Sequence, residues 1–236
     1  MLLPMLGMSI LQRLACDPDN CEEIAEDATY ITTKTIGLIS YVINKENSGG
    51  SQKKLVLLLR SSLNFVMWFT ISGGKIGARF RQELLENPFF LNCLERILNR
   101  RDCQPELWEP VMDTIALLAL DEAARQEIGS TQSIISNLID AFIKPDDRLQ
   151  RIAAGRALGI LTIMSTDNCW AILLADPELN LINNLISMLE DEYSADILHN
   201  LCANSRDKLM DIDLRSSVLR ESALPKVSIS ITVVRN

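Results

Sequence analysis

Histidine is nearly missing from this chain: His199 is the only one in 236 residues. A catalytic triad needs a histidine beside a nucleophile motif, and a zinc site needs several ligands. His199 stands alone in ILHNLC, where it reads as a partly buried helix residue with a satisfied ring nitrogen. Phosphate loops are missing too. SGGKIGARF places glycines near Lys75 but lacks the P-loop spacing and the following Ser or Thr, and there is no Rossmann fingerprint, G-x-S-x-G or H-E-x-x-H. The acidic groups at Glu22, Glu23, Glu26 and Asp27 and at Glu190, Asp191 and Glu192 lack the alternation of a calcium loop. No enzyme, metal, cofactor or small-molecule substrate is therefore expected.

Aromatic residues make up only 5% of the chain, with 10 glycines and 8 prolines, which disfavours a β-sandwich or barrel. Positive charge is also short. With 23 Lys and Arg against 31 Asp and Glu the net charge is −8, the wrong sign for a phosphate backbone, so no nucleic-acid partner is expected. The basic groups at Lys53 and Lys54, Arg79 and Arg81, Arg100 and Arg101, and Arg148, Arg151 and Arg156 read as solvated faces. The six cysteines include no CxxC pair and lack disulfide-framework spacing, so they read as buried thiols in a reducing, intracellular compartment, cytoplasmic or nuclear.

What the chain has in quantity is Leu- and Ile-rich helical pattern, with 47% hydrophobic residues. The organising stretch is Leu149 to Ile163, LQRIAAGRALGILTI. Ile152, Ala153, Ala157, Ile160, Leu161 and Met164 recur at helical spacing while Ala154, Leu158 and Ile163 make the other side apolar, which predicts a helix packed on most of its girth. Its alanines and glycines keep it thin. Asp146 or Asp147 is placed to cap it, Lys144-Pro145 ends the helix before it, and Ser194 is placed to cap a later inner helix, ADILHNLCAN. Asn87-Pro88 and Gly73-Gly74 mark breaks; Pro105 and Pro110 fit the first turns of helices.

Internal repetition is present. Leu14, Ala15, Asp17 and Ile24 in RLACDPDNCEEI match Leu118, Ala119, Asp121 and Ile128 in LLALDEAARQEI. A third copy, LTIMSTDNCWAI, repeats Asp19, Asn20, Cys21 and Ile24 as Asp167, Asn168, Cys169 and Ile172 after one extra residue, and a fourth begins at Leu198. Leu118, Leu161 and Leu201 lie 43 and 40 residues apart, a helical-repeat period.

The frames L-x-x-L-A-x-D…N-x-x-x-I and A-x-x-A-L-x-x-L (Ala154, Ala157, Leu158, Leu161) make the chain resemble the armadillo-repeat superfamily, in the degenerate form of plant members without a defined activity. The resemblance covers about residues 9–224. It implies an all-α, right-handed α-solenoid of about five armadillo/HEAT-like repeats over 1–224, with an exposed loop at 46–52 and a non-helical tail at 225–236. In that tail Val227, Ile229, Ile231 and Val233 alternate with polar residues, as in a short edge strand or frayed tail; the other reading is translated intron from Val227 onward, since a splice-donor consensus can encode Val-Ser after Lys226.

The function implied is a non-enzymatic scaffold or adaptor for a protein or extended-peptide partner. Asparagines on the third helices bind peptide backbone in better understood members. Asn200 holds that position here, while Arg13, Leu117 and Ile160 occupy it elsewhere, and Asp196 replaces the tryptophan one turn earlier. Asn200, Asn204, Arg156 and Arg13 are the candidate contacts of the concave face.

Membrane association is the alternative. Leu55 to Ile71 is strongly apolar, but Arg60 and Asn64 sit near its middle, where a charge costs about 2.5–3.5 kcal/mol in a bilayer, so a buried helix is favoured. The apolar N-terminus lacks a basic n-region, and Pro4 and Gly7 are expected to interrupt any helix there. The chain is also expected to enter mid-repeat, leaving uncapped ends that could stack and an open oligomeric state.

Overall fold

The aspartate of the repeated L-A-x-D frame is a helix cap. Asp17 Oδ1 accepts from the backbone N–H of Asp19 at 3.0 Å, and Asp121 Oδ1 accepts from that of Ala124 at 3.1 Å. Each thereby starts the short helix that follows an inner one. In the third copy the cap is Ser165, whose Oγ accepts from Asn168 N–H at 3.3 Å. The extra residue before it is Met164, which adopts φ 48° and is 90% exposed. This corrects its placement on the apolar stripe: Met164 is a left-handed turn residue that brings Ser165 into capping position.

The computed structural model describes residues 2–14, 17–45, 52–72, 74–100, 105–175 and 180–205. The tail at 225–236, residues 206–224 of the expected repeats and the expected loop, except its last residue Gln52, lie outside them. Among the described residues there are thirteen α-helices, one short 3-10 turn (Pro105–Leu107) and no strand. The protein is all-helical. Its contacts group it into two compact units, 1–128 and 129–236.

The first unit holds α1 (Leu2–Leu14), α2 (Pro18–Glu26), α3 (Ala28–Lys45), α4 (Gln52–Ile71), α5 (Gly74–Leu85), α6 (Pro88–Leu98), α7 (Trp108–Leu118) and most of α8 (Glu122–Ser130). Two layers form it. In one, α1, α4 and α7 lie side by side; in the other, α3 and α6 adjoin each other and pack on α4 and α7 respectively. Between them α5 meets α3, α4 and α6. The core is built from rings and leucines: Phe69 stacks on Phe80 at 4.4 Å and meets Phe65 at 4.8 Å, next to Leu58, Leu59 and Leu63. Buried hydroxyls of Thr32, Thr35, Ser62, Thr70 and Thr114 each donate to the carbonyl four residues back, so burial leaves none unsatisfied.

The second unit holds α9 (Gln132–Ile143), α10 (Arg148–Thr162), α11 (Thr166–Ala175), α12 (Asn180–Ser187) and α13 (Glu192–Asn204). Here α10 and α13 adjoin, α9 and α12 adjoin, α9 packs on α10 and α12 on α13, with α11 against α9, α10 and α13. The expected organising helix is α10, with Ala153, Ala154, Gly155, Ala157, Leu158 and Leu161 buried. Gly155 explains its thinness: a Cβ there would lie 2.9 Å from both Phe142 Cε2 and Tyr193 Cβ. Side chains of α9 and α13 meet at this one point of α10.

Several boundaries follow the sequence expectations. Asp147 caps α10, its Oδ1 accepting from Gln150 N–H at 2.8 Å, and Asn87 caps α6 ahead of Pro88. α9 ends at Ile143, and Pro110 lies in the first turn of α7. Others differ. α1 runs unbroken through Pro4 and Gly7, because Pro4 sits in the first turn, where its missing N–H has no intrahelical partner, and Gly7 costs only about 1 kcal/mol. The cap of α13 is Asp191, which accepts from Tyr193 and Ser194 N–H, while Ser194 is buried inside the first turn. The shorter distance to the helix start wins.

Candidate interaction surface

The carbonyls left open at the end of α10 are gathered by amides. Asn168 Nδ2 donates to Leu161 O at 3.1 Å, and Asn204 Nδ2 to Thr162 O at 3.0 Å. Asn200 Nδ2 reaches Thr162 Oγ1 at 3.1 Å and Gly159 O at 3.4 Å. Two of the four sequence candidates, Asn200 and Asn204, are thus brought together, half-buried, and their donors point into the fold. Asn168 was missed as a member although the N-x-x-x-I frame contains it. Cys169 completes the knot, its Sγ 3.4 Å from Thr162 O and 3.7 Å from Asn200 O. Burial raises its thiol pKa to about 11, against weaker opposing hydrogen bonds from Asn204 and Ser205. Such a thiol is a poor nucleophile.

The other two candidates are exposed: Arg156 on α10 and Arg13 in the last turn of α1. Arg156 lies in the second unit with the asparagines and Arg13 in the first. His199 is exposed on α13, which corrects its reading as partly buried. Cys93, Cys169 and Cys202 are free thiols, and burial raises the pKa of Cys93 despite the nearby charge of Arg96. Among the described residues no group of three or more His, Cys, Asp or Glu side chains could hold a metal.

Several arginines, Arg79, Arg81 and Arg100 among those read as solvated faces, do more than that. Arg81 Nη1 donates to Thr70 O at 2.6 Å, Arg100 Nη2 to Ile43 O at 3.1 Å, Arg79 Nη2 to Glu26 O at 3.4 Å and Arg125 Nη1 to Ala119 O at 3.3 Å. Each carbonyl belongs to the end of a helix, where a cation also meets the negative pole of the helix dipole.

On α4 the arrangement differs. Leu57, Arg60 and Ile71 are exposed and Asn64, Met67 and Trp68 half-exposed, and their spacing puts all six on one stripe. The opposite side carries the buried Leu55, Leu58, Leu59, Phe65, Val66 and Phe69. Neither the Arg60 guanidinium, the Asn64 carboxamide nor the Trp68 indole N–H has a hydrogen-bond partner among the described residues. One turn separates each from the next, so the three present donors in a row along the helix. The sequence frames missed this row because α4 carries neither L-A-x-D nor A-x-x-A-L. By length and composition α4 is also the one described helix able to cross a membrane, with half of that stretch buried.

No protein-family model, curated protein or solved structure matches the chain significantly. The class defined by the coordinates is that of an all-helical protein with layered helices.

Proposed function

We propose that the chain is a non-enzymatic interaction scaffold, an armadillo-like solenoid whose inner helices hold an extended segment of a protein partner. The observation that carries this reading is the row Arg60, Asn64 and Trp68 on α4, whose donors are unspent within the described fold. All three side chains reach solvent, so a ligand can take their donors without breaking a bond inside the fold. The layered pairing in each unit, α1, α4 and α7 over α3 and α6, and α10 and α13 over α9 and α12, supports the solenoid. In the first unit the exposed Arg13 belongs to the layer that carries the row; in the second, taken by itself, Arg156 is exposed and Asn200 and Asn204 offer a partner only their carboxamide oxygens.

The test is selection of a display library of random peptides against the chain, with an Asn64→Ala/Trp68→Ala double variant as counter-selection. Binders lost by the double variant are expected. A selection yielding no binder that distinguishes the two proteins would sink the scaffold reading. Circular dichroism of the variant guards against unfolding. The alternative, membrane association through α4, predicts retention in carbonate-washed membranes, and it requires α4 to leave the packing that buries half of it.

A further inference from the structure

The three helices of the inner layer differ in charge. α1 has one charged side chain, the exposed Arg13, and the stripe on α4 has one, the exposed Arg60. On α7, Glu109 and Asp113 are half-exposed and fall one turn apart, followed by half-exposed Leu117. The layer runs α1, α4, α7, so the surface passes from basic to acidic across the row of donors. Neither Arg13, Arg60 nor Glu109 is neutralised by an ion pair with another described residue.

From this we infer that the partner segment is dipolar: it carries carboxylates over α1 and α4, an apolar side chain against Trp68, and a basic side chain over α7. Complementarity of this kind sets partner choice more than affinity. Helix axes packed about 8–10 Å apart put roughly 16–20 Å between α1 and α7, which an extended chain covers in about six residues. The two charges of the segment should therefore stand about six positions apart. In a chain of net charge −8, a partner chosen by overall charge would be basic throughout; the local pattern specifies otherwise.

This inference rests on the scaffold reading, and the library experiment separates the two. Among peptides lost by the Asn64→Ala/Trp68→Ala variant, the expected result is enrichment of Asp or Glu at one end and Lys or Arg about six positions away. A Glu109→Lys protein, whose α7 then carries a lysine beside Asp113 in place of two carboxylates, should select peptides that have lost the preference for a basic residue at that end. By calorimetry, Arg60→Glu should weaken a dipolar peptide about tenfold, with Arg60→Gln intermediate. Selected peptides without charge bias, or affinities unchanged by Arg60→Glu, would overturn the dipolar partner while leaving the scaffold intact. Absence of any variant-sensitive peptide would overturn both. A concentration-dependent dimer abolished by Trp68→Glu would name a second copy as the occupant and overturn it as well.

Discussion

The two units complete the same task with different chemistry. In the first, helix ends are closed by guanidinium groups reaching from neighbouring segments, Arg81 to α4 and Arg100 to α3. In the second, three short carboxamides, Asn168, Asn200 and Asn204, close the end of α10. The cores follow suit. Phe65, Phe69 and Phe80 form a cluster of packed rings in the first unit. Around α10 the core is made of alanines and Gly155, against which the side chains of Phe142 and Tyr193 pack. Long capping arms accompany a core of rings, and short ones a core of alanines.

That comparison can be broken most severely at Phe69. It is fully buried and touches three rings, so Phe69→Ala should cost about 3–5 kcal/mol in urea unfolding. A loss below 1 kcal/mol would mean that the ring cluster is dispensable.

Next in size is a pH effect in the second unit. The folded thiol of Cys169 titrates near 11, above its ordinary 9.0. Between those values the unfolded chain gives up a proton that the folded chain keeps, so stability falls as pH rises from 9 towards 11 and is untouched below 9. The loss should amount to about 2–3 kcal/mol and vanish from the pH profile of Cys169→Ala.

Arg81→Met sharpens the contrast in caps. Losing a charge-assisted bond to Thr70 O should cost about 1–2 kcal/mol, and the loss should shrink in high salt, which screens the helix-end charge. Asn204→Ala, which removes an uncharged cap, should show no such salt dependence.

The smallest effect is a gain. Met164 is left-handed and buries almost nothing, so Met164→Gly should relieve strain and raise stability by about 0.5–1 kcal/mol. A loss instead would mean that the methionine side chain has a packing role.

Much of the second unit was legible because its rules are local. Asp147 three residues before Gln150, Lys144-Pro145 after an apolar stripe, and the small residues of α10 each specify structure within one turn or two. The first unit was harder. Whether Arg81 is a solvated charge or a cap depends on where Thr70 O lies, eleven residues away, and no pattern in the sequence records that. For the same reason Asn200 was singled out by its position in a frame, while its amide turned out to face Thr162. The row on α4 was obscured by its own hydrophobicity, since Leu57 and Ile71 on the exposed face blur the contrast with the buried one. Met164 misled by being apolar: one inserted residue takes it off the helix, and periodicity carries no sign of that.

Trp68 has a consequence beyond binding. Of the three tryptophans, Trp108 is buried and Trp68 and Trp170 are both half-exposed; Trp68 alone stands in the donor row, with its ring edge-on to Phe69 at 5.1 Å. Its ultraviolet emission is therefore sensitive to what covers α4, and subtracting the spectrum of a Trp68→Phe protein isolates it. The molecule carries a label-free optical gauge at the place where occupancy has to be read.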